Sequence, residues 1–183
     1  MASHVCPWWL AYTFDNPLRI LFHKPEIIFA PYVHEGMVVA DIGCGMGYFS
    51  IGLAKIVKES GKVFAVDIQK KMLEKMTQRA KKQGVWEIIE PIQCTELDIG
   101  IAEPLDFAMA FWMAHETPDI KRFFSQIYAV LKPGGHLLIS EPKFHVAADE
   151  YRDELAIAGQ VGFSVKEEPQ INFSYSVVLE KPG

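Results

Sequence analysis

One stretch constrains this chain more than any other: Met37-Val38-Val39-Ala40-Asp41-Ile42-Gly43-Cys44-Gly45-Met46-Gly47-Tyr48-Phe49-Ser50. Its first half is a short, continuous apolar run, the pattern of a parallel strand buried on both faces. Its second half has glycine at every other position, 43, 45 and 47. Glycine takes positive φ without penalty and lets a ligand come close to the backbone. A helix is expected from about Met46, turning Phe49, Leu53, Ile56 and Val57 inward. A ligand lying over such a turn meets backbone N–H groups at a helix N-terminus.

What is missing narrows the ligand. The dinucleotide fingerprint G-x-G-x-x-G requires a third glycine at position 48, which is Tyr48, and no P-loop Lys-Ser/Thr follows. Asp41 sits at the strand's end, two residues before Gly43. A carboxylate there suits a ligand with an ammonium group and no phosphate, and S-adenosylmethionine (SAM) is such a ligand.

The run Asp41-Ile42-Gly43-Cys44-Gly45-Met46-Gly47 resembles motif I of the class I SAM-dependent methyltransferases, D-x-G-x-G-x-G, without a departure. The turn Leu131-Lys132-Pro133-Gly134-Gly135 resembles a second, structural signature of that family. The similarity covers roughly residues 30 to 181, and it is to the broad group that includes quinone-biosynthesis C-methyltransferases. The resemblance implies an α/β fold: a Rossmann-like seven-stranded sheet, mostly parallel with an antiparallel last strand, and helices on both faces. It also implies a SAM-binding methyltransferase domain over 37–183, with SAM as cofactor and S-adenosyl-L-homocysteine as product. Residues 1–36 then form an N-terminal helical strap or lid.

That N-terminal segment differs from the rest. Prolines at 7, 17, 25 and 31 forbid one long helix, so short helices are expected over 17–23 and 25–30. Trp8, Trp9, Tyr12, Phe14, Leu18 and Phe22 should pack on the body, either over the cofactor and acceptor or as an inert apolar strap.

Lys62 to Asp67 reads as the second strand, ending in an acid 24 positions after Gly43. That is near the roughly 20-residue spacing at which a carboxylate accepts hydrogen bonds from a ribose diol. The alternative is an N-cap for the following helix, expected over 69–83 with Met72, Leu73, Met76 and Ala80 on one face. A third strand over 87–93 leads to Cys94-Thr95-Glu96. A fourth over 105–112 leads to Met113-Ala114-His115-Glu116-Thr117-Pro118, with Thr117 as N-cap and Pro118 as first residue of a helix to 131. Strand five is expected over 136–140, a helix over 147–158, and strands over 163–168 and 171–180. Alternating βα units favour a parallel sheet covered on both faces.

The resemblance assigns cofactor binding to Asp41, Gly43, Cys44, Gly45, Gly47, Asp67, Ile68, Thr95, Glu96 and Phe111. The family's common Asp after strand three is Thr95 here. Methyl transfer needs mainly in-line alignment and exclusion of water, with a base only when the nucleophile arrives protonated. The catalytic candidates are His115 and Glu116, at the place where amino-directed relatives carry Asn-Pro-Pro-Tyr; Glu141 and His145 are further candidates. The plainer reading of His115 and Glu116 is a polar pair in a capping turn.

The 183 residues, 50% of them hydrophobic, fit one domain with a sizeable core. A net charge of −5 argues against a general nucleic-acid binder. Three scattered cysteines form neither a disulfide framework nor a zinc pattern, so no metal is expected and the setting is read as cytoplasmic. The longest apolar run, Phe107 to Ala114, is too short for a membrane span, and the N-terminus has no signal-peptide pattern. The expected partner is a small-molecule methyl acceptor, with neither nucleic acid nor membrane. Competing readings are an aminopropyltransferase-like enzyme of the same fold, a non-catalytic SAM-binding regulatory subunit, a metalloid methyltransferase using Cys6, and an NAD-dependent oxidoreductase.

Overall fold

A computed structural model describes residues 22–183 of the chain. Cys6, Trp8, Trp9 and most of the first short helix expected over 17–23 lie outside the described residues.

Seven strands form one sheet: β1 (Val38–Ile42), β2 (Lys62–Asp67), β3 (Ile89–Gln93), β4 (Leu105–Phe111), β5 (Leu131–Pro142), β6 (Ser164–Glu167) and β7 (Ser174–Glu180). Their order is β3-β2-β1-β4-β5-β7-β6. The pairs from β3 through β5 are parallel, and β7 is antiparallel to both of its neighbours. The expected Rossmann-like sheet with an antiparallel last strand is therefore present.

Successive side chains of a strand point to opposite faces, so the apolar runs of the inner strands feed two cores. Val39, Val63, Ala65, Phe107 and Met109 face one layer; Ala40, Ile42, Phe64, Val66, Leu137 and Ile139 face the other. The first layer takes the apolar stripes of α2 (Tyr48–Val57) and α3 (Lys70–Lys82), through Phe49, Leu53, Val57, Leu73, Met76 and Ala80. The second takes α4 (Ile120–Val130) and α5 (Ala148–Val161), through Phe123, Phe124, Ile127 and Ala158. A short helix, α1 (Pro25–Phe29), lies on α2. Gly52 of α2 makes that contact possible, because a Cβ there would stand 2.7 Å from Cγ of Pro25. Phe29, fully buried, then packs edge-on against Phe49 and Phe107.

Several boundaries differ from those read in the sequence. The helix expected from Met46 begins at Tyr48, since Gly47 takes a left-handed φ of 79° as its N-cap. Thr117 does not cap α4: its Oγ1 donates to Ala114 O at 2.7 Å, closing a 3₁₀ turn over Ala114–Glu116. Asp119 is the N-cap instead, its Oδ1 accepting the Arg122 N–H at 2.9 Å. β5 already pairs with β4 at Leu131, and the glycine turn is absorbed as a register shift before His136.

Because β1, β2, β4 and β5 run in one direction, their carboxyl ends at Ile42, Asp67, Phe111 and Pro142 come to one edge. In an open α/β sheet that edge is where ligands bind.

Candidate active site

A cleft of about 590 Å³ opens at this edge. Of the predicted cofactor residues Asp41, Gly43, Cys44, Gly45, Asp67, Ile68, Thr95, Glu96 and Phe111 line it, and so do the catalytic candidates His115 and Glu116. Gly47 is not in its wall. A Cβ on Gly47 would press into Met76 of α3, so that glycine serves the helix start and its packing.

The glycine turn is rigid because its donors are spent inside the protein. Gly43 N–H and Cys44 N–H both donate to Val66 O, at 2.8 and 2.9 Å, and Gly47 N–H donates to Cys44 O at 2.9 Å. Gly45 N–H donates to Asp67 Oδ2 at 2.9 Å. The sequence reading had a ligand meeting the N–H groups of this turn; the structure assigns these four elsewhere, which suits a ligand with no phosphate at this place. What the turn offers is closeness. Gly45 has φ of 52°, and a Cβ there would meet no protein atom within 4 Å, so a side chain would project into open space. Gly43, by contrast, is packed against Met113, whose Cγ would lie 2.5 Å from an added Cβ.

Asp67 stands at the end of β2, and the N-cap of α3 is Gln69 rather than Asp67. Its Oδ1 accepts the N–H of Gln69, the N-cap residue of α3, at 2.8 Å. Its Oδ2 holds Gly45, and each carboxylate oxygen keeps a further lone pair for a diol. Burial raises its pKa, and the two backbone N–H groups offset part of that rise. Asp41, also buried, accepts from Ser50 Oγ at 2.5 Å. Thr95 pairs with Asp98 across a tight turn, and Arg122 Nε and Gln126 Nε2 of α4 both donate to Leu97 O, fixing that loop from outside.

The opposite wall is aromatic and carries His115, Glu116 and His145. Trp112 adopts φ of 61°, an outlier for a bulky residue. Its N–H bonds to Ser140 O at 2.7 Å, and its indole Nε1–H to Ser174 Oγ at 2.8 Å. Rings of His23, Phe111 and Phe144 surround it. This strained corner turns the chain back so that Met113 and His115 enter the cleft wall. Nothing in the sequence marks Trp112 as the pivot, because its neighbours come from β5, β7 and the segment before α1.

His115 is paired. Its Nδ1 meets Glu141 Oε2 in a short hydrogen bond, while Glu141 Oε1 accepts the Ala114 N–H at 2.9 Å. Glu141 is fully buried. A carboxylate that already accepts one N–H takes the Nδ1–H of His115 as well, leaving Nε2 as the basic atom. Burial would lower the imidazole pKa; the hydrogen bond and charge of Glu141, with the charges of Glu116 and Glu154, outweigh it and raise the pKa. His145 lies against the His115 ring, centroids 5.0 Å apart. The sequence named His115, Glu141 and His145 separately; the sheet register brings them together.

The residues present fit SAM: one close-approach glycine, an acid at the end of β1, a ribose-type acid at the end of β2, and no unspent anion-binding donors at Gly43, Cys44, Gly45 or Gly47. Fold and cleft together define a class I SAM-dependent methyltransferase domain. A model described as "Methyltransferase domain" matches residues 33–170, and the chain belongs to that family. The chain is 32% identical over 110 residues to a ubiquinone/menaquinone biosynthesis C-methyltransferase, UbiE, of Haemophilus ducreyi, an alignment covering 60% of this chain and 42% of that protein. The chain spans less than half the length of the curated relatives that it matches first. A SAM-dependent methyltransferase structure from Aquifex aeolicus superposes with a TM-score of 0.86 at 24% identity, covering 97% of this chain and all of that one. An rRNA methylase structure from Streptococcus thermophilus reaches 0.65 at 25% identity, over 88% and 96% of the two chains. Among the described residues no helix is long and apolar enough to cross a membrane.

Proposed function

We propose that the protein binds SAM in this cleft and catalyses methyl transfer to a small-molecule acceptor, with His115 as the base when the acceptor arrives protonated. The observation that carries the reading is the cleft itself, in which Gly45 and Asp67 on one side face the His115–Glu141 pair on the other. SAM supplies an electrophilic methyl group on a sulfonium. Gly45 admits it to the backbone, Asp67 accepts from its ribose, and Asp41 places a negative charge at the end of β1. Phe111, Trp112 and Met113 exclude water and keep the acceptor in line. His115 Nε2 takes the proton of a hydroxyl or thiol, and Glu141 holds the ring and stabilises the imidazolium. The strap role of residues 1–36 belongs to the same proposal. It is supported by Tyr48 Oη–H donating to His23 O at 2.8 Å and by His23 packing on Phe111 and Trp112, which line the cleft.

The small-molecule reading draws on the C-methyltransferase relative and on a cleft edged by Asp41, Asp67, Glu96 and Glu116, which would repel a polyanion. An RNA acceptor, suggested by the rRNA methylase neighbour, is the competing outcome of an acceptor screen. Calorimetric titration with SAM and S-adenosylhomocysteine tests the cofactor. Micromolar-range binding is expected for the wild type and none for Gly45→Val, whose side chain enters the ligand's space rather than the protein's. Undiminished heats for that variant would overturn the assignment.

A further inference from the structure

Outside the residues already given a role, α5 buries two polar groups one helical turn apart. Tyr151 and Glu154 are 8% and 9% exposed, and neither the Tyr151 hydroxyl nor Glu154 Oε2 has a hydrogen-bond partner among the described residues. An ionised carboxylate without a partner is a costly thing to bury, whereas a protonated one is far less so. Glu154 also lies where its charge acts on Glu141 and on His115. Glu141 accepts from Ala114 N–H and His115 Nδ1–H, and Glu154 Oε2 forms no hydrogen bond with it.

Resting on the reading of His115 as the base, we propose that Glu154 is a positioning residue for the His115–Glu141 pair: a buried carboxyl whose protonation state is tied to that of His115 and sets its proton affinity. With His115 neutral, Glu141 is the anion of the group and Glu154 keeps its proton, because two carboxylates there would repel. When His115 Nε2 takes a proton from the acceptor, the imidazolium favours a second anion, and Glu154 gives its proton up to water. The group carries one net negative charge before and after. Proton uptake at the cleft therefore adds no net charge to the interior, which is why the base can work inside an apolar wall.

The surroundings agree. Burial first, then the charges of Glu141 and Glu150, raise the Glu154 pKa to about 7, with His115 opposing. β5 presents Glu141, the turn before α4 presents His115 and Glu116, and the loop after β5 presents His145. α5 itself adds Glu150, whose carboxylate accepts the Ala147 N–H, and Tyr151, on which Glu168 also acts. Lys143 lies over the Tyr175 ring that stacks on Tyr151, and α4 contributes Tyr128 at the far end, beside Gly162. Glu154 is a buried carboxyl of α5 whose charge acts on His115 and is acted on by that of Glu141.

The test needs no acceptor. The imidazole of His115 is titrated by NMR, and the carboxylic-acid C=O stretch by infrared spectroscopy on protein labelled with ¹³C-glutamate, in wild type, Glu154→Gln and His115→Gln. In the wild type His115 and one carboxyl should titrate as a coupled pair, His115 above its ordinary value. Glu154→Gln keeps the shape without the charge, so the carboxyl step should vanish and His115 should titrate at lower pH. His115→Gln removes the imidazolium, so the carboxyl step should move to higher pH. Superimposed His115 curves in wild type and Glu154→Gln would overturn the proposal. Should Glu154→Gln fail to fold, an unshifted carboxyl in His115→Gln would overturn it instead. Turnover of His115→Gln is a separate reading: a wild-type rate there would remove the base from the reaction, whatever the titrations show.

Discussion

At the scale of single residues, His115 acquires its character from burial and from one partner. Glu141 is buried completely and aligned from two sides, so the ring that it holds has one orientation and one basic nitrogen. Replacing His115 with Gln should leave SAM affinity unchanged by calorimetry and lower turnover by about 10²–10⁴, the usual range for a positioned base. Only neutral imidazole accepts a proton, so the wild-type rate should rise with pH through a value above the ordinary imidazole pKa, in keeping with the direction of its shift. The sign for stability is the reverse. A raised histidine pKa contributes fully below the unfolded value near 6.5, and that contribution fades as pH rises through the folded value. An identical pH–rate profile in the variant would demote His115 to a residue of the capping turn.

At the scale of elements, two contacts decide the shape of the cleft. The corner at Trp112 stores backbone strain of the kind that persists only where surrounding bonds determine it, here from Ser140 and Ser174. The second contact is α1 on α2 across Gly52. Alanine at 52 would gain about 1 kcal/mol of helix propensity, but its Cβ would overlap the Pro25 ring, and overpacking costs about 1–3 kcal/mol. α1 has only five residues, but Pro25 and Phe29 are buried and hold it against α2. Gly52→Ala should therefore lower stability by roughly 1–2 kcal/mol in urea melts. A more stable variant would mean that α1 moves aside at no cost.

At the scale of the whole molecule, the parallel strands bring four loops to one edge, and His23, before α1, packs on Phe111 and Trp112 beside that edge. Asn172 Nδ2–H bonds to Phe22 O at 3.2 Å, and His23 Nε2 meets Asn172 O at 2.9 Å, so the N-terminal segment is tied to the loop before β7. Tyr48 ties it to the start of α2. A ligand in contact with Tyr48, Phe111 and Trp112 should tighten these ties, and amide hydrogen exchange over residues 22–36 should slow when SAM is added. Equal exchange with and without SAM would make the segment an inert brace. Exposed Phe144 and Phe173 continue the aromatic surface beside it, through contacts with Trp112 and Phe22.

What the sequence determined by itself is what depends on neighbours along the chain. Apolar runs between turns set the strands, the alternation of glycines set the loop after β1, and acids at strand ends marked Asp41 and Asp67. These signals are local, because strand burial, positive φ and helix starts are decided within a few residues. The tertiary structure decided what depends on residues far apart. Thr117 lost its capping role to Asp119 because the helix begins only at Ile120, directly after Asp119. The N–H groups of Gly43, Cys44 and Gly45 were claimed by β2. Gly47 turned to α3, Trp112 became a pivot, and Glu154 was buried on α5 where its charge acts on Glu141 and His115. The physical reason is the same in each case: a hydrogen bond or a buried charge is settled by whichever partner the sheet register brings within reach, and register is a property of the whole sheet.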